Sequence, residues 1–172
     1  MTDPLRYTLF GLMLLLSACA INSERAKTTQ RSANDRVHER KVVKTTAYTD
    51  SESGLRSSRV KNAIGSRLQS GSIRSAAADW SHFPVGTKFR IVDNNTTYVV
   101  DDYGPALVGT DTIDLYVPSR QMMNQWGART VKIEVLEQGS YEKSLEVLKP
   151  RQRNWCAKQM VKNLQKQIEA TY

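Results

Sequence analysis

Between Val42 and Leu136 the chain is divided into short β-prone runs, "VVKTTAYT", "TKFRIV", "TYVVD", "TIDLYV" and "VKIEVL", each bounded by turn-forming residues. Runs of this length are too short for helices and rich in branched and aromatic residues, so they predict strands. Asp93-Asn94-Asn95 is a hairpin-turn signal between two of them, and Pro84-Val85-Gly86 precedes another. Six or so short strands in about a hundred residues bury their edges best by closing on themselves, which predicts a mainly β fold built as a small closed barrel. One helical interlude interrupts the pattern at Ser119 to Trp126. There Ser119 suits an N-cap and Gly127 the C′ position, while Met122, Met123 and Trp126 share a face expected to pack on the core. Ser51 to Ser75 is rich in Gly, Ser and Arg and poor in apolar residues, and is expected to be a long loop.

The two ends have different compositions. Residues 1–18 combine Arg6, the apolar run Leu9 to Leu16 and a small-residue ending before Cys19. They read as a signal segment, because the run is shorter than the roughly 20 apolar residues a membrane-spanning helix needs. The ending resembles a bacterial lipobox, which implies that Cys19 becomes the first mature residue and the lipid-attachment site. Asn22, in place of an acidic residue close behind it, leaves no inner-membrane retention signal, so a periplasmic, lipid-anchored protein of the outer membrane is expected. Residues 19–41 lack a hydrophobic period and predict a flexible tether containing His38. Residues 42–140 form the barrel domain and 141–172 a basic extension, in which Ala157, Val161, Leu164 and Ile168 recur at helical spacing. That amphipathic helix is expected to dock on the barrel, with a membrane surface as its second use.

Net charge narrows the partners. The +8 formal charge resides in the flanks: Ala20 to Lys44 and Tyr141 to Tyr172 each hold seven Lys/Arg against three Asp/Glu, whereas Thr45 to Ser140 is balanced at ten against ten. A nucleic-acid binder carries its basic patch on the folded face, interleaved with aromatics, so no nucleic-acid partner is expected. The two cysteines, Cys19 and Cys156, and two histidines, all far apart, give neither a disulfide framework nor a zinc constellation.

Four aspartates then stand out: Asp101, Asp102, Asp111 and Asp114. In "TIDLYV", Ile113, Leu115 and Val117 share one face, which leaves Asp114 and Tyr116 on the other. Asp101 and Asp102 are adjacent, so strict alternation lets only one of them face a site. Asp111 lies in a turn beside Gly109 and Thr110. The competing use of all four is local hydrogen bonding at turns and strand ends.

The stretch Thr45 to Leu136 resembles the 3D domain, a double-psi β-barrel named for three aspartates and shared by membrane-bound lytic transglycosylase A and several bacterial wall-remodelling proteins. The resemblance runs in order through "TTAYT", "GSRLQSG", "AADWSHFPVGTKFRI", "VDDYGPALVG", "IDLYV" and "WGARTVKIEVL". It implies that Asp79, Asp102 and Asp114 are the three aspartates, with Asp114 catalytic and the others shaping the site, and that Asp101 and Asp111 have ordinary duties. It also implies a peptidoglycan substrate; no cofactor is expected, and three aspartates could hold a hard cation although nothing in the sequence demands one. Tyr48, Trp80 and Tyr103 are the aromatics expected to stack on sugar rings. A lytic transglycosylase protonates a glycosidic oxygen and then removes a proton from the muramyl C6 hydroxyl, so one carboxyl with a raised pKa suffices. The same barrel also serves non-catalytic wall binding in expansin-like and rare lipoprotein A-like proteins, and a lipid-anchored structural role is the third possibility.

Overall fold

The computed structural model describes residues 39–50 and 61–169. The expected signal segment, Cys19 and all but the last residues of the tether lie outside the described residues. The elements are β1 (Arg40–Tyr48), β2 (Ile73–Ala77), β3 (Lys88–Ile91), β4 (Thr96–Asp102), β5 (Ile113–Tyr116), α1 (Arg120–Trp126), β6 (Arg129–Glu137), α2 (Tyr141–Leu148) and α3 (Trp155–Glu169). The six strands close into a barrel in the order β1-β5-β2-β4-β3-β6. Pairs β1/β5 and β2/β4 are parallel and the other four are antiparallel. The mainly β, closed six-stranded architecture is therefore the one the short runs require.

Alternation explains most of the core. Val43 and Thr45 of β1, Phe89 and Ile91 of β3, Ile113 and Leu115 of β5, and Val131, Ile133 and Val135 of β6 are buried. Their neighbours Val42, Lys44, Thr130 and Lys132 face solvent. Phe89 and Tyr98 are register partners across β3 and β4, and their rings stack at 5.5 Å. At the seam of β3, β6 and β1, Glu134 is the register partner of both Arg90 and Arg40, and its carboxylate pairs with both guanidinium groups. Glu134 thereby tolerates burial at a position that alternation gives to an outward residue.

Three expectations are corrected. The end of the expected Ser51–Ser75 loop is structured, because Ile73 to Ser75 belong to β2, which lies between β5 and β4. The sequence "IRSAA" lacks β-branched residues after Ile73, and what holds it as a strand is backbone pairing on both sides rather than propensity. Helix α1 has its Ser119 cap, accepting from Met122 N, and its Gly127 end, but it buries no residue and Met122 is exposed. Its anchor is Trp126, whose Nε1 donates to Thr45 Oγ1 at 3.2 Å while Arg129 lies over the indole ring. Finally, β1 starts at Arg40, inside the stretch expected to be tether.

Helix α3 docks on the barrel as its amphipathic pattern predicts, and α2, unread in the sequence, docks beside it. Leu148, Ala157, Met160 and Leu164 are fully buried in the same core cluster as Trp80, Phe83 and Val85. Polar contacts fix the join: Val85 N–H donates to Ser144 Oγ at 2.9 Å, and Trp80 N–H points at Met160 Sδ at 3.4 Å. The turn between β6 and α2 is tighter still. A Cβ at Gly139 would overlap backbone atoms of Pro84, Val85 and Thr87, none of which can rotate away. Gly139→Ala is expected to destabilise the fold by about 3 kcal/mol, read from the midpoint of urea unfolding. An unchanged midpoint would show that the turn yields at no cost.

Candidate functional site

Strand register brings the expected aspartates together. Ala77 of β2 is the register partner of Asp102 on β4 and of Asp114 on β5, and Asp114 is the partner of Thr46 on β1. Asp102, Ala77, Asp114 and Thr46 therefore form one row across four strands. With strands roughly 4.8 Å apart, the two aspartate Cα atoms are separated by about 10 Å, with only a methyl group between them. Because Ile113 and Leu115 point into the core, Asp114 points away from it, and its Oδ1 accepts from Thr46 Oγ1 at 2.7 Å. The pair thus lies side by side on one patch of the barrel wall.

The patch holds a third carboxylate that alternation does not foresee. Register between β2 and β4 shifts between Ala76 and Ala77, so Val100 pairs with Ala76 but Asp102, not Asp101, pairs with Ala77. This is a β-bulge, and it interrupts the alternation of faces. Asp101 is buried, and its Oδ2 accepts from Ser75 Oγ at 2.7 Å and from Asn62 Nδ2 at 2.8 Å. Among the described residues Asp101 Oδ1 has no hydrogen-bond partner. The ordinary surface duty expected of Asp101 is thus replaced by a buried place behind the site. The adjacent "DD" at a strand end was its only sequence signal, since a bulge leaves no mark of its own.

Tyr48 stands against Asp102. Its hydroxyl lies 3.4 Å from Asp102 Oδ2, and its ring packs against Tyr116 at 5.6 Å. Burial, then the charges of Asp102, Asp101 and Asp114, push the phenol well above the usual tyrosine range, so it is a neutral donor. Burial raises the Asp102 carboxyl to about 6. The Tyr103 amide, donating at 2.9 Å, offsets part of that rise, and the neighbouring Asp101 charge adds to it. Burial also raises Asp101, against the opposing effect of its Ser75 and Asn62 donors.

The remaining expected residues stand elsewhere. Asp79 is fully buried; its Oδ1 accepts from Ser81 N and Oγ at 2.8 and 2.7 Å, and its Oδ2 from Gly109 N at 2.6 Å. It ties the turn after β2 to the loop that leads into β5. Trp80 has no exposed face with which to stack on a sugar. Its Nε1 donates to Asp102 O at 2.9 Å and its ring takes the edge of Tyr103 at 5.1 Å, so it supports the strand end from below. Tyr103 itself is half-buried. Asp111 is exposed and pairs with His82 Nδ1 at 2.6 Å, beside a groove of about 500 Å³ that includes neither Asp102 nor Asp114. Among the described residues no group of three His, Cys, Asp or Glu side chains is placed to hold a metal ion.

What this arrangement offers chemically is a carboxyl raised to about 6, with a second carboxylate across one intervening strand and a phenol against the first. It also has a thermodynamic signature. Since the folded state raises the Asp102 pKa to about 6, the folded protein binds the proton more tightly than the unfolded chain. The contribution is fully favourable below about pH 4 and is lost as pH rises through about 6. Asp102→Asn, which mimics the protonated form, is expected to stabilise the protein by on the order of 2 kcal/mol at pH 8 and hardly at all at pH 4. Urea unfolding at both pH values checks this, and equal effects at the two would contradict it.

Residues 74–137 match the 3D domain family, a span that begins within β2 and ends with β6. The cell wall-binding protein YocH of Bacillus subtilis (strain 168) is 28% identical over 118 residues, which are 68% of this chain and 39% of that protein. A crystal structure of MltA from Escherichia coli is 25% identical with a TM-score of 0.36, covering 46% of this chain and 28% of that one. A second MltA structure, also from Escherichia coli, gives 26% identity and a TM-score of 0.36, covering 47% and 28%. The chain thus spans well under half the length of each of these relatives. The strands that carry Asp102 and Asp114, together with Asp79 in the turn after β2, all fall within the span that matches the 3D domain.

Proposed function

We propose that this protein works outside the cytoplasm on peptidoglycan, and that the Asp102, Tyr48 and Asp114 cluster cleaves glycan strands between N-acetylmuramic acid and N-acetylglucosamine by acid/base catalysis. The observation that carries this reading is the placement of Asp102 and Asp114 in one row of the barrel wall, with the Tyr48 hydroxyl against Asp102 and the Asp102 carboxyl raised to about 6. A cluster of like charges in a poorly solvated place binds a proton more tightly than a lone exposed carboxylate does, and that proton is what a glycosidic oxygen needs as its bond to C1 breaks. Asp114, beside the Thr46 hydroxyl and partly open to solvent, is the acid/base. It gives its proton to the leaving oxygen and then takes one from the muramyl C6 hydroxyl as that oxygen attacks C1. The proton returns to the enzyme, no water is consumed, and the product ends in a 1,6-anhydro ring. Asp102 and Asp101 keep the cluster protonated, Tyr48 orients Asp102, and Asp79 sets the loop between the two catalytic strands. The 3D domain and the printed name of the YocH relative, a cell wall-binding protein, support peptidoglycan as the substrate.

A second reading, wall binding without cleavage, is favoured by one observation: the printed name of the YocH relative describes a cell wall-binding protein. Mass analysis of the soluble products from purified sacculi separates the two. The catalytic reading expects anhydromuropeptides from the wild type, at least a hundredfold fewer from Asp114→Asn or Asp102→Asn at roughly the 10²–10⁴ scale of acid/base groups, and a rate that falls above about pH 6 as Asp102 loses its proton. Sacculus binding without product would select the second reading, and reducing ends would select a hydrolase. Lipid attachment at Cys19 and outer-membrane location complete the proposal, with labelling by radioactive fatty acid expected in the wild type and abolished in Cys19→Ala.

A further inference from the structure

We infer that the solvent face of α3, carrying Trp155, Lys158, Lys162 and Lys166, is a docking surface for an anionic phospholipid bilayer. At 100° per residue these four side chains fall within roughly 80° of one another, opposite the buried Cys156, Ala157, Met160, Val161 and Leu164. All four are exposed, and Trp155 is 61% exposed, second only to Val42 among the large hydrophobic side chains of the described residues.

Lysines at i, i+4 and i+8 repel one another, and among the described residues none of the three lysines forms an ion pair. The only acidic residue on this face is Glu169, at the far end. Lys149 and Arg153, both exposed, extend the positive field beyond the N-terminus of the helix. Arg151 does not contribute in the same way, because its Nη1 is bound to Ala63 O at 2.6 Å.

The chemistry of the stripe selects the partner. Long lysine stems carry mobile point charges that suit a fluid layer of phosphate headgroups, and a single exposed indole prefers the boundary between headgroups and acyl chains. A nucleic acid is instead met by guanidinium forks and several stacking aromatics, which this face lacks. The helix lies along the membrane and does not enter it: its apolar side is occupied by the barrel, and no described helix is long and apolar enough to cross a bilayer. This contact is independent of the glycan-cleaving proposal and of Cys19.

Full-length protein should be mixed with vesicles of neutral phosphatidylcholine, and with vesicles containing about a third phosphatidylglycerol, at about 0.1 M salt where the Debye length is near 10 Å. The wild type is expected to partition preferentially to the anionic vesicles. The triple variant Lys158→Gln/Lys162→Gln/Lys166→Gln should lose that preference by on the order of a hundredfold, at about fivefold per lysine. High salt should weaken the wild type toward the variant, and Trp155→Ala should weaken anionic binding without touching its salt dependence. An unchanged thermal midpoint in both variants assigns the loss to the surface and not to the fold. Equal partitioning of wild type and triple variant would overturn the proposal. So would a variant defect seen with sacculi or DNA and not with vesicles.

Discussion

Ala77 is hydrogen-bonded between two aspartate-bearing strands, and the rest of the site depends on that position. A larger side chain there would stand between Asp102 and Asp114, whereas a methyl group leaves the gap open. The strand that supplies it, β2, also closes the barrel between β5 and β4. One short segment of small residues therefore does two things: its backbone completes the ring of hydrogen bonds, and its lack of bulk makes room for carboxyl groups. The bulge at Ala76/Ala77 adds a third, because it turns Asp101 from an alternating position into a charge placed behind Asp102.

Burying carboxylates so close together costs free energy, and the structure shows where that cost is offset. Asp79 is the well-supplied case, with three donors to one carboxylate. Asp101 has two, and Asp102 has the Tyr103 amide and the longer contact from Tyr48. Asp79 ties two loops together, while burial outweighs the donors at Asp102 and Asp101 and raises both carboxyls.

The C-terminal helices belong to the same construction. Trp80 N–H meets Met160 Sδ of α3 while Trp80 Nε1 holds the carbonyl of Asp102, so the helix supports the strand end that carries the raised carboxyl. Arg151, just before α3, holds the carbonyl of Ala63, in the loop whose Asn62 donates to Asp101. The extension that sequence composition sets apart by charge is, on its inner face, part of the barrel core. Its outer face is exposed and carries Lys158, Lys162 and Lys166.

The sequence by itself determined the strands whose side chains alternate strongly, the turn at Asp93 to Asn95, the capped helix α1 and the amphipathic helix α3. In each case the information is local: a period, a cap or a turn residue within a few positions. Strand alternation singled out Asp114 and one of Asp101 and Asp102, and the order of the 3D-like motifs then chose Asp102 and added Asp79. Tertiary structure alone decided the rest. It made "IRSAA" a central strand by pairing it on both sides, turned Asp101 toward the site through a bulge, and sealed Trp80 under Tyr103 and Met160. The physical reason is common to all three. Backbone pairing partners, register shifts and desolvation are properties of contacts between segments 20 to 80 residues apart, and none of them leaves a local trace in the residues that they govern.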